Sequence, residues 1–207
     1  MATVINMLDG IQRLRYDVYC LERHFEDRTR FPDGREKDEY DDHSVHLAAT
    51  DPQRGVVATV RLVLDSPLGF PLESYTEDLS PEFSTLPRER TAEISRLVVA
   101  KRYRHLESDG IDYPLLFGLF RQIHEMSVDL GLEYLLAVME RKLWRLARRF
   151  GFEFEQIGDP LQHRGERIPC VADVEALWVG HQRVVALQGI DPDAPLRAYD
   201  YQALIAA

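Results

Sequence analysis

The sequence predicts a single α/β domain, built on a twisted mixed sheet that helices cover. Its 207 residues are enough for one domain and few for two. Hydrophobic residues make up 45% of the chain, so it can bury a core of ordinary size. Strands alternate with helices over the second half, which is typical of a sheet that contains parallel pairs. We therefore expect one domain over 1–207, with an irregular tail over 190–207.

The first half predicts a helix, a hairpin and a long loop. Residues 8–25 carry apolar side chains at the spacing of one helical face. Residues 26–43 are dense in charge and contain a proline and a glycine, which indicates a loop. Two β-rich runs, 44–50 and 56–64, flank the turn DPQRG and predict a hairpin. Four prolines in 65–92 favour a second loop with one short helix.

The second half alternates strands with helices, and two of the helices end at a glycine. The predicted elements are, in order, a buried strand over 93–99, a helix over 114–131, a strand over 133–139, a helix over 140–151, a strand over 152–158 and a helix over 171–188.

Composition excludes several classes of function. A net charge of −10 argues against nucleic-acid binding, which needs a basic surface. No run of 18 apolar residues and no signal-peptide pattern is present, so we expect a cytoplasmic protein without stable membrane insertion. Two distant cysteines predict reduced thiols. His43 and His46 belong to no zinc motif, so no metal site is expected.

Four short motifs follow one another in a fixed order. An arginine precedes an aromatic residue by four positions and is followed by a second aromatic residue, then by EKDEYD, VRLV and EISRLVV. Together they resemble the motifs of the acyl-homoserine-lactone (autoinducer) synthases, of the N-acetyltransferase-like superfamily, over about half of the chain. The matching positions are Arg15, Tyr19, Phe25, Glu36, Asp38, Tyr40, Asp41, Arg61, Glu93, Ser95 and Arg96.

The C-terminal half changes which acceptor we expect. Residues 148–170 are more similar to the N-acyl amino acid synthases, which include exosortase-associated acyltransferases. Position 25 is Phe, where the autoinducer synthases usually have Trp. The resemblance therefore implies N-acylation of an amino acid, or another small amine, by an acyl carrier protein thioester, with no permanently bound cofactor. The alternatives are an autoinducer synthase that uses S-adenosylmethionine and a non-catalytic acyl-binding module on the same fold.

The reaction needs a proton acceptor, oxyanion donors and a slot for the acyl chain. Glu93 is the predicted base, acting with Ser95 and Arg96. Glu93 and Arg96 are an odd number of residues apart, so a regular strand would point them to opposite faces. We therefore expect a bulge near Ser95, whose freed N–H groups could hold the oxyanion.

The remaining predicted residues bind the two substrates and the carrier protein. Arg15, Asp38, Asp41, Arg61 and Arg96 are expected to form a buried charge cluster, with Glu93 as its third carboxylate. The stretch after residue 99 lacks the glycine-rich turn of a coenzyme A site, which favours a carrier-protein donor. Residues predicted to contact substrate or carrier are Tyr19 and Phe25 at the acceptor, Leu97, Val98 and Phe117 at the acyl chain, and Lys101, Arg102 and Arg104 at the carrier.

Overall fold

The computed structural model describes residues 2–75, 79–104, 107–108, 111–112, 114–187 and 200–205. Its contacts divide the chain into two compact units, each discontinuous in sequence. The first unit comprises Met1–Leu62, Arg96–Gln122 and Leu196–Ala207, and the second comprises Val63–Ser95 and Ile123–Pro195.

Ten strands and four α-helices make up the regular structure of the described residues. The helices are α1 (Ala2–Tyr16), α2 (Pro114–Asp129), α3 (Arg141–Arg149) and α4 (Val174–Leu187). The strands are β1 (Ser44–Asp51), β2 (Gly55–Leu64), β3 (Thr91–Val99), β4 (Glu107–Ser108), β5 (Ile111–Asp112), β6 (Tyr134–Met139), β7 (Glu155–Gln156), β8 (Leu161–Gln162), β9 (Glu166–Asp173) and β10 (Asp200–Ile205).

In the first unit, α1 runs directly into a π-helical turn over Asp17–Glu22. The predicted helix over 8–25 therefore starts earlier than expected and ends at Glu22. The Arg23 N–H donates to the Val18 carbonyl at 2.8 Å, a five-residue span. Single π-turns occur often at functional sites, and this one carries the first aromatic residue of the motif, Tyr19.

The sheet of the first unit has the order β10, β1, β2 and the C-terminal half of β3. The hairpin β1–β2 confirms the predicted strands, and Gly55 at its turn has φ of +74°, which a glycine adopts without strain. Strand β10 pairs antiparallel with β1, from Val45 opposite Ile205 to Thr50 opposite Asp200. The prediction of an irregular tail over 190–207 is wrong at these six residues, and residues 188–199 lie outside the described ones.

The strands of the second unit form both parallel and antiparallel pairs. The first half of β3 lies parallel to β6, with Thr91 opposite Tyr134 and Ile94 opposite Ala137. Strand β9 runs antiparallel to β6, and β7 and β8 each pair with β9. Parallel and antiparallel pairs thus coexist, as the alternation of strands and helices predicted.

Two predictions in the C-terminal half needed correction. The predicted helix over 171–188 begins only at Val174, because Glu166–Asp173 is the long strand β9. Pro169 lacks an N–H and ordinarily marks a break in a strand, which hid β9 in the sequence. The predicted strand over 152–158 shrinks to β7, although its alternate residues Phe152 and Phe154 are buried. No described helix has the length and apolarity needed to cross a membrane.

Candidate active site

Six charged side chains of the first unit close into a ring of alternating sign. They come from five different segments: the end of α1, the loop after it, the short helical turn before β1, the middle of β2 and the second half of β3. The members are Arg15, Glu36, Asp38, Asp41, Arg61 and Arg96.

Two arginines share Asp41 at one side of the ring. Arg15 donates from Nε to Glu36 Oε2 at 2.5 Å and from Nη1 to Asp41 Oδ1 at 2.7 Å. Arg61 donates from Nη1 to the same Asp41 oxygen at 2.5 Å and to Asp38 Oδ1 at 2.5 Å. Each guanidinium thus bridges two carboxylates.

Arg96 closes the ring on the opposite side. Its Nε donates to Glu36 Oε1 at 3.1 Å and its Nη2 to Asp38 Oδ2 at 2.7 Å. Arg96 has a φ of +50°, inside a strand, and such left-handed non-glycine residues are strained and concentrate at functional sites. The positive φ departs from regular strand geometry one residue after Ser95, although β3 runs without a break from Thr91 to Val99. The bulge near Ser95 stays a prediction.

Charge balance explains how the ring can be buried. Arg15 is fully buried, and Arg61 and Glu36 are each 1% exposed. An isolated buried charge costs several kcal/mol, whereas three cations and three anions with two partners each compensate one another. Burial opposes the charged form of Asp41, but Arg15 and Arg61 outweigh it and lower the pKa of that carboxyl to about 2.

Burial and ion pairing also have opposite effects on the pKa values of Asp38 and Arg15. Burial works against the charged form of Asp38, yet its hydrogen bond and charge interactions with Arg61, together with the charge of Arg96, lower its pKa below the usual range. Burial opposes the charge of Arg15 as well, and Glu36 and Asp41 still raise its pKa. Arg15, Asp38 and Asp41 are therefore held in their charged forms at neutral pH.

Aromatic side chains line the more accessible side of the ring. The Arg96 guanidinium lies over the Tyr19 ring, 5.6 Å from its centroid, and Tyr19 stacks on Phe25 with 6.2 Å between ring centroids. The Tyr19 hydroxyl donates to the Leu97 carbonyl at 3.3 Å. Arg61 lies 6.0 Å from the centroid of Tyr40. These rings offer flat faces beside fixed charges, an arrangement that suits a polar ligand with a planar group.

The third carboxylate of the predicted cluster is not the one we named. We expected Glu93 to complete it, and the ring contains Glu36, which the sequence motif included without a role. The carboxylate of Glu93 lies in the second unit, is 2% exposed, and accepts the Leu72 N–H at 2.7 Å through Oε2. Its role as a base, and that of Ser95, stay predictions.

Sequence reasoning also missed two residues beside the ring. Glu26 lies with Oε1 3.8 Å from Arg96 Nη2, and its side chain is buried. His46 is buried, with Nε2 3.3 Å from the Asp41 carbonyl oxygen, and its burial lowers its pKa. Glu26 directly follows Phe25, the second aromatic residue of the motif, and this position could have identified it as a site residue. His46 was considered only as a metal ligand.

The predicted acyl-chain residues divide between core and partly open positions. Val98 is 2% exposed and packs with Leu14 and Val18, so it belongs to the hydrophobic core. Leu97, the residue before it, is half-buried, and Phe117 is buried on α2. Of these three, the structure leaves Leu97 the best placed to reach a ligand.

The predicted carrier-docking residues have unequal surroundings. Lys101 and Arg102 are exposed. Arg104 is half-buried, donates from Nε to the Val99 carbonyl at 2.8 Å, and pairs with both carboxylate oxygens of Glu22. Arg104 therefore holds the turn after β3, and two cations of the predicted three remain available at the surface.

Known proteins place these features in a family. A family model described as an acetyltransferase (GNAT) domain matches residues 14–110. The isovaleryl-homoserine lactone synthase of Bradyrhizobium diazoefficiens is 30% identical over 196 residues, which cover 92% of this chain and 84% of that protein.

Solved structures agree with this assignment. BjaI, a CoA-dependent acyl-homoserine lactone synthase solved with SAM and isopentyl-CoA, is 28% identical with a TM-score of 0.68, covering 89% of this chain and 83% of BjaI. MesI, another CoA-dependent acyl-homoserine lactone synthase, is 23% identical over 93% of this chain and 95% of MesI, and its TM-score of 0.64 shows a shared fold. These findings favour our alternative over the amino acid synthase that we predicted first. With 30% identity over 92% of its length to a homoserine lactone synthase, the chain is an acyltransferase that belongs to the acyl-homoserine lactone synthase family.

Proposed function

We propose that this protein joins an acyl group to the amine of S-adenosylmethionine and then closes the product to an acyl-homoserine lactone. In the first step the amine nitrogen forms a bond to the thioester carbonyl carbon, the carbon–sulfur bond breaks, and the thiolate takes a proton. In the second step the carboxylate of the acylated acceptor attacks its own γ-carbon, and 5′-methylthioadenosine leaves. The observation that carries this proposal is the buried ring at the positions of the synthase motif.

The charge around the ring supports a cationic acceptor. The ring itself is neutral, and the buried carboxylate of Glu26 adds a negative charge next to Arg96. Arg30 pairs with Glu26 at 3.2 Å, but its side chain is 65% exposed, so water screens most of its effect. S-adenosylmethionine carries a sulfonium in addition to its amino and carboxylate groups, whereas an ordinary amino acid is neutral overall. The buried carboxylate of Glu26 beside Arg96 is therefore a feature that favours the sulfonium compound.

The accessible members of the ring would orient the acceptor. Asp38 and Arg96 are the most exposed of the six, with side chains 14% and 15% exposed. An amine can donate to a carboxylate such as Asp38, and a carboxylate can accept from a guanidinium such as Arg96. Because Asp38 and Arg96 are already held by their ring partners, these side chains lose little conformational entropy when the acceptor binds.

The amide-forming step needs a base and an oxyanion site, for which we keep the predicted groups. Glu93 would accept the amine proton, directly or through water. Backbone N–H groups beside Ser95 would stabilise the oxyanion, because the positive φ of Arg96 can turn such a group away from regular strand geometry.

For the donor we propose an acyl-coenzyme A thioester rather than the carrier protein that the sequence favoured. An isovaleryl-homoserine lactone synthase is 30% identical to this chain, and a CoA-dependent synthase solved with isopentyl-CoA is 28% identical. The pairing of Arg104 with Glu22 also weakens the basic surface that a carrier protein would need. A short branched acyl chain is the first donor to test.

The proposal is tested by product mass. Purified protein is incubated with isovaleryl-CoA, or with the same acyl group on acyl carrier protein, and with S-adenosylmethionine or a mixture of amino acids. We expect isovaleryl-homoserine lactone and 5′-methylthioadenosine in equal amounts, with the coenzyme A donor preferred. An N-acyl amino acid as the sole product would overturn the acceptor, and thioester hydrolysis at the background rate would indicate a binding module. Glu26→Gln should raise the KM for S-adenosylmethionine with little change in the KM for the donor.

A further inference from the structure

The proposed base is anchored to a short helical turn in its own unit. Residues Pro71–Ser74 form one 3₁₀ turn, and the Leu72 N–H donates to Glu93 Oε2 at 2.7 Å. Leu72 is fully buried and Glu93 is 2% exposed. Because both groups are buried, this hydrogen bond fixes the direction of the Glu93 carboxylate. The position of the carboxylate therefore depends on how rigidly the turn is held.

A bidentate ion pair holds that turn. Arg88 donates from Nη1 to Glu73 Oε1 and from Nη2 to Glu73 Oε2, both at 2.9 Å. Glu73 Oε2 in turn accepts the Phe70 N–H at 2.7 Å, which closes the start of the turn. The hydrogen bonds from Arg88 lower the pKa of Glu73, and those to Glu73 raise the pKa of Arg88.

The same arginine also touches the other side of the turn. Its guanidinium lies 4.8 Å from the centroid of the Phe70 ring, and its Nε is 3.1 Å from Asp65 Oδ1. Phe70 and Leu72 pack together with Leu136 and Ile157 in one hydrophobic cluster. Arg88 therefore clamps a turn whose apolar side is buried and whose backbone is hydrogen-bonded to the proposed base.

The chain enters the turn through a glycine that the clamp requires. Gly69 has φ of +69°, and a side chain there would place its Cβ 2.5 Å from Glu73 Oε2. Only glycine both adopts this conformation readily and leaves room for the carboxylate. The local sequence is thus suited to the Glu73–Arg88 pair and not merely to a loop.

We propose that Arg88 is a positioning residue for Glu93, acting through Glu73 and the Leu72 N–H to fix the carboxylate that receives the amine proton. This inference rests on the proposed role of Glu93. A small displacement of a catalytic group can reduce turnover by about 10-fold to 100-fold without changing substrate affinity. The clamp should therefore control kcat more than KM.

The test compares two arginines of the same short helical turn, Arg88–Arg90. Arg88→Gln removes the clamp, whereas Arg90→Gln removes a largely exposed pair with Glu133 and is the matched control. For Arg88→Gln we expect kcat for thiol release to fall about 10-fold or more, with the KM for the acceptor within about twofold. The acidic limb of its pH–rate profile should move to higher pH, because the Leu72 hydrogen bond favours the charged carboxylate.

Two further variants separate positioning from folding. Arg88→Lys keeps a cation near Glu73 and should recover part of kcat. Glu73→Gln should reproduce the Arg88→Gln effect, with circular dichroism of both variants unchanged. Equal kcat values for the Arg88→Gln and Arg90→Gln proteins, or an unmoved acidic limb, would overturn the inference. If the wild type makes an N-acyl amino acid instead of a lactone, the proposed function fails, and the variants are compared with that acceptor.

Discussion

Asp41 offers the most direct measure of what the charge ring contributes to stability. Its two arginine partners lower its pKa from 3.8 to about 2. A shift of nearly two units corresponds to about 2.5 kcal/mol, at about 1.4 kcal/mol for each unit. Because the pKa is lower in the folded protein, this stabilisation is complete above pH 3.8 and is lost as the pH falls through about 2.

The substitution Asp41→Asn tests this value with little change in shape. Asparagine keeps an oxygen that can accept from Arg15 or Arg61, but it removes the charge that balances them. We expect the free energy of unfolding in urea at pH 7 to fall by about 2.5 kcal/mol, or the Tm by roughly 5–10 °C. At pH 3 the difference from wild type should shrink to about 1 kcal/mol, since Asp41 is then mostly protonated in the unfolded chain but still mostly ionised in the folded protein.

The neighbouring aspartate provides the control. Asp42→Asn changes the net charge by the same amount at an exposed position and should alter stability by less than about 0.5 kcal/mol. If both variants unfold at the same urea concentration at pH 7, the ring does not stabilise the fold through Asp41. If the loss from Asp41→Asn is the same at pH 3 and pH 7, its cause is packing and not charge.

Three other predictions follow from the site and its surroundings. In Glu93→Gln the amide oxygen can still accept the Leu72 N–H, so the variant should keep the Tm while its turnover falls by about 100-fold. If the variant keeps wild-type turnover at neutral pH, the base assignment is wrong. Reversing Lys101 and Arg102 to Glu should raise the KM for an acylated carrier protein, and a KM that does not depend on salt or on this change would show that this surface does not bind it. Burial raises the pKa of the Cys170 thiol to about 12, so iodoacetamide at pH 8 should label Cys170 only after unfolding, as peptide mass mapping would show.

Ordered motifs made most of the ring predictable from sequence. Five of its six members were named as a charge cluster, although Arg15 and Arg96 are 81 positions apart in the chain. The sixth, Glu36, belonged to the same EKDEYD motif, but spacing along a loop does not indicate which of its four acidic side chains point inward. That choice depends on the path of the loop, where the Glu36 N–H bonds to the Gln12 carbonyl of α1.

The elements that the sequence did not predict are those defined by distant pairing. Strand β10 pairs only with β1, some 150 residues away, and β9 contains a proline whose missing N–H argues against a strand. The start of α4 after β9 could have been predicted from the sequence, because Asp173 is a typical helix N-cap residue. Its Oδ1 accepts the Ala176 N–H at 2.8 Å. Local signals of this kind mark boundaries, whereas strand partners depend on the whole chain.

The closed form of the ring accounts for its stability and supports its proposed use as a binding site. In an open chain of ion pairs the terminal charges would have one partner each, and burying them would be costly. Closure gives every member two partners, so Arg15 and Arg61 can lie in the core while Asp38 and Arg96 reach the accessible side without losing their orientation. A substrate that binds at this side contacts Asp38 and Arg96, which already have ion-pair partners in the folded protein. The cost of removing water from these charges was therefore offset when the protein folded. Binding therefore costs less reorganisation than it would on a flexible surface, which is the condition that a slow nucleophile such as an amine requires for efficient attack on a thioester.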